Sequence, residues 1–367
     1  MDQIVLSAGD TAWVLASSAL VLLMTPGLAF FYGGMVRAKS ALNMMMMSII
    51  TIGVVSILWV IYGFKIAFGY EADSPWYGSF STSGLGDAVN ELANNGGVYP
   101  IPLLAFAVFQ LMFAIITPAL ISGAIADRTK FFSWAIFVAI WVTVVYFPVA
   151  HWVFAFGNKV GDTVTGAGYL ASKGIQDFAG GTAVHINAGA AGLALAIVLG
   201  KRIGWQRSPM RPHSLPLVLL GASLLWFGWF GFNAGSALAA NGIAALAFIN
   251  TQVATAGAVI GWILTEKFRD GHPTTLGAAS GAVAGLVAIT PACAFVEPWA
   301  AVVIGLIAGI ACALAVGLKY KLGYDDSLDV VGVHGMGGLI GMLFIGLAAT
   351  VTANAAGKDG LFFKGGT

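Results

Sequence analysis

Long apolar stretches separated by short polar segments dominate the pattern of hydrophobic and polar positions along this chain. A helix needs about 20 apolar residues to cross the hydrocarbon core of a bilayer, so such stretches are candidate spans. They do not alternate between polar and apolar residues, as the strands of a membrane barrel do. We therefore predict an all-α, polytopic membrane protein. The ten predicted spans are 11–36, 43–66, 100–126, 131–156, 178–200, 214–236, 245–266, 274–295, 299–318 and 329–350.

Composition supports a membrane protein and excludes several other classes. Of 367 residues, 59% are hydrophobic and only 9% are charged, and the mean hydropathy is +0.89. A soluble chain has about 25% charged residues and needs them to cover its apolar interior. The net charge of +1 argues against a nucleic-acid partner. Cys293 and Cys312 both lie in apolar runs, so no disulfide framework, metal site or cofactor is expected.

Lys and Arg concentrate in alternate loops, which predicts the orientation of the chain. With the N-terminus outside, the inner loops hold twelve Lys and Arg and the outer segments hold four, while Lys65 lies at a span end. The opening segment has no basic flank, so no removable signal peptide is expected. The long outer loop, 67–99, contains four acidic residues and no Lys or Arg. We expect a multi-pass protein of the plasma (inner) membrane with an approach suited to a cation.

An internal repeat relates the two halves of the chain. Asp177 precedes His185 by eight residues, and Asp326 precedes His334 by the same eight. The string Ile-Thr-Pro-Ala occurs at 116–119 in the third span and at 289–292 in the eighth. Because the offset of five spans is odd, the second copy enters the membrane from the opposite face. This predicts a five-plus-five inverted repeat within one membrane domain, 1–367, with repeat one at about 11–200 and repeat two at about 214–350.

Helical rise predicts the depth of the two repeated histidines. Eight residues correspond to about 12 Å, close to half of the hydrocarbon core. With one copy descending and the other rising, His185 and His334 should meet near the centre. A lone intramembrane histidine is most simply a hydrogen bond between helices, but two at equivalent depth favour a pathway. Axial ligation of a haem, as in a membrane electron carrier, is an alternative use of such a pair.

Several long strings resemble the Amt/Mep/Rh ammonium transporter family. They are DFAGGTAVHINAGAAGL (177–193), GWFGFNAGSALAANGIAALAFINT (228–251), DDSLDVVGVHG (325–335), PGLAFFYGGMVR (26–37) and ISGAIADR (121–128). The resemblance implies a non-enzymatic ammonium transporter that assembles as a homotrimer with one pore in each subunit. We expect no eleventh helix or cytoplasmic tail after 351–367, although both are usual in that family, either because the sequence is a fragment or because the protein lacks them. A PII-type regulator acts through that tail, so it is a possible partner but the weakest one that the resemblance implies.

The resemblance also assigns roles to residues of this sequence. It implies a gate of two phenylalanines, an outer cation site with a serine, and a required acid beneath the outer vestibule. Where many relatives have Trp in that outer site this chain has Phe, a weaker cation–π partner, and a nearby Trp is a candidate substitute. The residues are the pore histidines His185 and His334, the gate Phe113 and Phe232, the outer site Ser236, Phe154 and Trp152, and the structural or electrostatic Asp177, Trp229 and Asp326.

These residues suit a cation that can lose its proton. Ammonium resembles potassium in charge and size, so carbonyl oxygens alone would discriminate poorly. We hypothesise that neutral ammonia passes the phenylalanines and hydrogen-bonds to imidazoles, which carry a donor and an acceptor and can relay a proton. Asp177 could bind the cation, but capping of its helix is the favoured interpretation. Without the resemblance, Phe113 and Phe232 would be interpreted as lipid-facing residues or as residues packed in the core. A non-conducting ammonium sensor is the main alternative function.

Overall fold

The computed structural model describes residues 5–82, 84–160, 163–208 and 210–366, and most of them are helical. Within these ranges nine helices are long and apolar enough to cross a membrane, and a tenth apolar helix is shorter. In chain order they are α1 (Ala8–Met35), α2 (Ala38–Phe68), α3 (Leu103–Ile125), α4 (Phe131–Phe154), α5 (Gly181–Leu199), α6 (Leu215–Ala237), α7 (Gly242–Asp270), α8 (Thr275–Ile289), α9 (Pro298–Leu322) and α10 (Val331–Ala348). The predicted all-α membrane architecture is confirmed.

Several helices begin at polar residues whose side chains accept from the first backbone N–H groups. The Ser7 hydroxyl accepts from the N–H of Asp10 at 3.2 Å. The Asn241 side chain accepts from two N–H groups at the start of α7, and the Thr274 hydroxyl accepts from Gly277 at the start of α8. Such caps matter in lipid, where no water satisfies an unpaired backbone group.

Helix α8 differs from its predicted span, 274–295. It has 15 residues, which is about 22 Å of helix and less than the hydrocarbon thickness. The α-helix ends at Ile289, although Thr290 still has helical backbone angles. Proline alone does not explain this end, because Pro118 in the matching Ile-Thr-Pro-Ala string lies inside α3. Residues 290–295 continue as buried turns. The apolar pattern therefore predicted the segment 274–295 correctly but did not predict where its helix ends.

Two short hairpins lie in the loops before α3 and after α4. Strands β1 (Leu92–Asn94) and β2 (Val98–Pro102) form one antiparallel pair, and β3 (Asn158–Val160) and β4 (Thr163–Thr165) form the other. The Asn94 amide donates to the Asn158 side-chain oxygen at 2.5 Å and joins the two hairpins. Together they build one end of the molecule, next to the cavity described below.

Helices five positions apart in the chain pack against each other. Helix α1 packs along α6, and α5 crosses α10 near the centre of the molecule. The α1–α6 approach depends on glycine, because a Cβ at Gly221 would collide with the backbone of Phe31. Helices α7, α8 and α9 form a second packed group. These pairings fit the five-plus-five relation of the halves, which itself stays a prediction.

Candidate functional site

The segments that carry the repeated Asp and His have the same local structure. The Asp177 carboxylate accepts from the backbone N–H groups of Gly180, Gly181 and Thr182 at 2.7–2.8 Å. The Asp326 carboxylate accepts from Val330 at 3.1 Å and Val331 at 2.7 Å. Each acid thus caps the start of its helix, where N–H groups lack helical partners and the helix dipole favours negative charge.

Each of these helices opens with a π-helical turn that contains its histidine. The turns are Gly181–Ile186 in α5 and Val331–Gly335 in α10. A π turn adds a residue to the helical repeat and is often found at functional sites. In both helices it lies between the acid-capped end and the regular helix that follows. The two copies of the repeat therefore share not only the Asp and His residues but also the backbone conformation between them.

The two imidazoles meet in the interior of the protein. The Nδ1 atoms of His185 and His334 are 3.3 Å apart, and the rings lie at 20° with centroids 5.3 Å apart. Both side chains are buried. One Nδ1 must donate and the other accept, so the pair shares one proton between its Nδ1 atoms. Contact this direct leaves no space for a porphyrin between the rings, and the geometry does not support the haem alternative.

Aromatic rings enclose this pair on the side of His185. The Trp229 ring stacks on His185 at 5.4 Å and 17°, and the Phe232 ring stacks at 5.9 Å and 22°. The Trp229 indole donates to the Thr290 hydroxyl at 2.8 Å, which fixes the indole plane. Within the described chain, Nε2 of His185 has no hydrogen-bond partner. It therefore remains able to bind a small donor or acceptor.

A cavity of 480 Å³ lies on the side of Phe113 and Phe232 away from the histidines. We call it the outer cavity, because it lies at the end predicted to face outside. Phe113 lines this cavity, and its ring centroid is 4.4 Å from that of Phe232. Phe232 in turn contacts His185. The aromatic pair therefore separates the cavity from the imidazoles, with no open gap at the ring contact. The role of this pair as a gate stays a prediction.

The structure brings most of the predicted outer residues to this cavity. Ser236, Phe154 and Asp177 line it. The Ser236 hydroxyl donates to the Phe232 carbonyl at 2.9 Å, so its oxygen lone pairs remain available to a cation. Trp152 is absent from the described lining of the cavity. Its indole donates to the Trp76 carbonyl at 2.9 Å and its ring contacts the Trp76 ring at 5.6 Å.

Two features of the outer end were missed in the sequence. Gln110 lines the cavity three residues before Phe113, a helical spacing that could have identified it.

The negative charge of the loop 67–99 is smaller than its composition indicates, because a lysine outside the loop pairs with two of its acidic residues. Lys65 reaches it from α2 and pairs with Glu71 at 3.0 Å and Asp87 at 2.8 Å. The position of Lys65 at a span end was the available signal.

An ionic cluster joins three segments at the opposite end of the molecule. Arg202 donates to both carboxylate oxygens of Asp325, at 2.8–3.1 Å. Arg128 donates to the carbonyls of Gly200, Ala124 and Asp325. Burial by itself would raise the pKa of Asp325, but the hydrogen bonds and charge of Arg202 hold that pKa below its usual value. The cluster fixes the segment that leads into Asp326 and α10.

Comparisons with known proteins identify relatives over nearly the whole chain. A family model described as Ammonium Transporter Family matches residues 12–367. An ammonium transporter of Mycobacterium tuberculosis is 58% identical, over all of this chain and 81% of the relative. An ammonium transporter of Bacillus subtilis is 48% identical over 97% of this chain and 84% of the relative.

Solved structures share this fold. Mep2 of Candida albicans superposes with a TM-score of 0.87 and 35% identity, over 98% of this chain and 77% of that one. Mep2 of Saccharomyces cerevisiae gives the same TM-score with 36% identity, over 99% of this chain and 80% of that one. A structure described as a sensor Amt protein gives a TM-score of 0.84 with 30% identity, over 95% and 85%.

Proposed function

Because the chain belongs to the ammonium transporter family, we propose that it takes up ammonium at the outer cavity and conducts ammonia past His185 and His334. The observation that carries this proposal is the buried Nδ1–Nδ1 contact of 3.3 Å, directly beneath an aromatic floor. A neutral hydrogen-bonding solute fits such a place, and a permanent ion does not.

The outer cavity has the chemistry to hold a partly desolvated cation. Aromatic faces of Phe113 and Phe154 offer cation–π attraction of about 0.5–2 kcal/mol, and the Ser236 oxygen can accept from ammonium. Asp177 adds negative charge while its carboxylate oxygens remain bonded to the helix start. Phe154 lacks the indole donor of a tryptophan, and Trp152 is engaged with Trp76. We infer an outer site weaker than one with tryptophan at position 154.

Deprotonation selects the solute that reaches the histidines. Ammonium transfers its proton to water in the outer cavity, which carries it away as hydronium, and ammonia passes the Phe113–Phe232 pair when the rings part. Beyond them the neutral imidazoles accept from and donate to ammonia in turn, with Trp229 holding the plane of His185. The shared Nδ1 proton also gives the pair a route for proton transfer coupled to transport. Potassium has no proton to lose and stops at the gate.

The setting of the site completes the proposal. We infer a plasma-membrane protein with its N-terminus outside, because Lys and Arg concentrate at the other face. Within the single domain 1–367, Asp326 supports α10 as Asp177 supports α5, which follows from an inverted repeat. A homotrimer with one pore in each subunit is the assembly that family membership favours. Regulation by a PII-type protein is a weaker extension of the same resemblance.

A sensor that binds ammonium without conducting it is the second candidate. The observation that favours it is the structural likeness to the sensor Amt protein, at 30% identity. The outer cavity would serve such a sensor equally well. Flux separates the two functions, since only a transporter moves substrate across a sealed membrane.

The experiment is uptake of ammonium or methylammonium by liposomes that contain the purified chain. We expect flux from the wild type, and a loss of about fivefold or more in His185→Ala and His334→Ala. A removed hydrogen-bond partner in a dry site costs about 1–3 kcal/mol. His272→Ala is the matched control, because His272 is exposed in the loop between α7 and α8. Absence of flux in the wild type, with ammonium binding retained, would favour the sensor.

A further inference from the structure

A loop that follows α10 forms part of the rim of the outer cavity. Residues 349–360, which we call the rim segment, close on themselves because the Gly360 N–H donates to the Ala349 carbonyl at 2.8 Å. Inside this loop the Asp359 carboxylate accepts from the Val351 N–H at 2.8 Å. These hydrogen bonds give the rim segment a defined shape. The residues of this segment that line the outer cavity are Asn354, Ala356 and Lys358.

Two hydrogen bonds hold the rim segment against the wall of the cavity. The Gln176 side-chain oxygen accepts from the backbone N–H of Lys358 at 2.8 Å. The Phe295 carbonyl accepts from the Thr350 N–H at 2.9 Å. Gln176 and Phe295 themselves line the cavity. Because Gln176 immediately precedes Asp177, the backbone of Lys358 is held close to the acid of the outer cavity.

Lys358 brings a positive charge to this rim. Among the residues that the structure describes, the charged ones in the cavity lining are Asp177 and Lys358. The Asp177 side chain is buried and bonded to the start of α5, whereas Lys358 is exposed. The ammonium group of Lys358 lies over Gly174, where an added Cβ would be 3.1 Å from Nζ. The cavity wall thus holds a buried negative charge and an exposed positive charge.

No ion pair neutralises Lys358 within the described part of the chain. The ion pairs there involve other lysines and arginines. Asp359, the next residue in sequence, accepts from the Val351 N–H instead. Lys173 differs from Lys358, because its ammonium group lies over the Tyr169 ring, 5.0 Å from the centroid. The positive charge of Lys358 therefore acts directly on a cation that enters the cavity.

We propose that Lys358 sets the charge selectivity of the outer cavity by repelling cations in proportion to their charge, an inference that rests on the proposed binding of ammonium there. Two like unit charges about 10 Å apart in a mostly aqueous environment weaken the binding of a monovalent cation about two- to fourfold. The repulsion energy doubles for a dication, so its affinity falls by the square of that factor, about four- to sixteenfold. Ammonium is thereby favoured over divalent metal ions and organic diamines.

Binding of two amines to the purified chain in detergent tests this inference. Near neutral pH ammonium carries one charge and 1,3-diaminopropane carries two, and calorimetric titration measures the dissociation constant of each. We expect Lys358→Gln to lower this constant about two- to fourfold for ammonium and about four- to sixteenfold for the diamine. Lys358→Arg keeps the charge and should retain the wild-type constants. Lys364→Gln is the matched control, because Lys364 is exposed, follows the rim segment and lies outside the cavity lining.

Salt separates an effect of charge from an effect of shape. The screening length falls from about 30 Å at roughly 0.01 M salt to about 3 Å at roughly 1 M, so the difference between wild type and Lys358→Gln should disappear at high salt. A difference that persists there, equal changes for both amines, or equal changes in Lys364→Gln would each overturn the inference.

Uptake by liposomes, measured in parallel, tests the proposed function separately, because binding does not require flux. Absence of flux in the wild type, with the effect of Lys358→Gln on binding intact, would reject transport and still support the role of Lys358. Flux in the wild type with unchanged binding in Lys358→Gln would support transport and reject that role. Absence of ammonium binding by the wild type and by both Lys358 variants would overturn the inference as well.

Discussion

Asp177 can be tested as a helix cap against the alternative of a cation ligand. Its carboxylate accepts three backbone hydrogen bonds at the start of α5, and it is 6% exposed. In Asp177→Asn an amide N–H₂ replaces one acceptor oxygen and faces a backbone donor. We expect the free energy of unfolding to fall by about 1–3 kcal/mol, measured as a lower thermal midpoint in detergent, together with reduced flux.

Asp270→Asn serves as the control for that substitution. Asp270 lies in the exposed last turn of α7, where its ion pair with Arg269 is open to solvent, so its replacement should leave the midpoint nearly unchanged. The cap interpretation fails if Asp177→Asn unfolds at the wild-type temperature while ammonium binding is lost. That result would instead assign the carboxylate to the cation.

The proximity of the two repeated histidines was predictable from the sequence, but the atoms that make their contact were not. The equal Asp–His spacing indicated that His185 and His334 would meet, and their Nδ1 atoms do. Which nitrogen of each ring faces the other depends on side-chain rotation, which a one-dimensional spacing does not encode. The orientation of Trp152 toward Trp76 rather than the cavity depends on a loop more than 70 residues away in sequence. No local pattern records such a contact.

The crossing of α5 and α10 depends more on Gly189 of α5 than on Gly335, the glycine that faces it on α10. A Cβ on Gly189 would lie 2.5 Å from the Cα of Gly335, a distance that real contacts do not reach. Gly189→Ala must therefore push the helices apart, four residues beyond His185. We expect the imidazole contact to break and flux to fall by about tenfold or more, with about 1–3 kcal/mol of lost stability from overpacking.

Gly335→Ala is the internal control, because a Cβ there would meet its nearest neighbour at an ordinary 3.7 Å. Liposome uptake of the two variants, at equal protein content, measures the difference. Equal loss in both would mean that small residues at the crossing matter only for general packing. A normal rate in Gly189→Ala would show that the histidine contact tolerates a shift of the helices.

Hydrophobic pattern predicts that a helix exists better than it predicts its internal winding. All ten apolar segments contain helices. The π turns Gly181–Ile186 and Val331–Gly335 were not predicted, because one extra residue per turn leaves an all-apolar segment unchanged in pattern. In an amphipathic helix, an extra residue in one turn would shift the polar face and so be visible in the sequence. These segments have no continuous polar face that could show such a shift. Hydropathy likewise did not predict the early end of α8 at Ile289, because the residues after it are equally apolar and buried.

At the scale of the whole molecule, the proposed path from the outer cavity to the histidines combines two filters. In this proposal the cavity attracts any small cation by the aromatic faces and the Asp177 carboxylate that line it. The contact of Phe113 with Phe232, 4.4 Å between centroids, then opposes entry of a hydrated ion. The proposal therefore makes affinity for a cation and permeability to it separate properties. A cation without a removable proton should occupy the cavity without crossing.

Potassium provides the test, because it matches ammonium in charge and size. A charged group at the bilayer centre costs at least about 2.5–3.5 kcal/mol, roughly a hundredfold in rate. We expect vesicles that contain the wild-type chain to take up ammonium while potassium uptake stays at the level of protein-free vesicles. Adding a potassium ionophore at the end verifies that the gradient was intact. Potassium uptake within tenfold of ammonium uptake would mean that the ion itself crosses, and the deprotonation step would have to be abandoned.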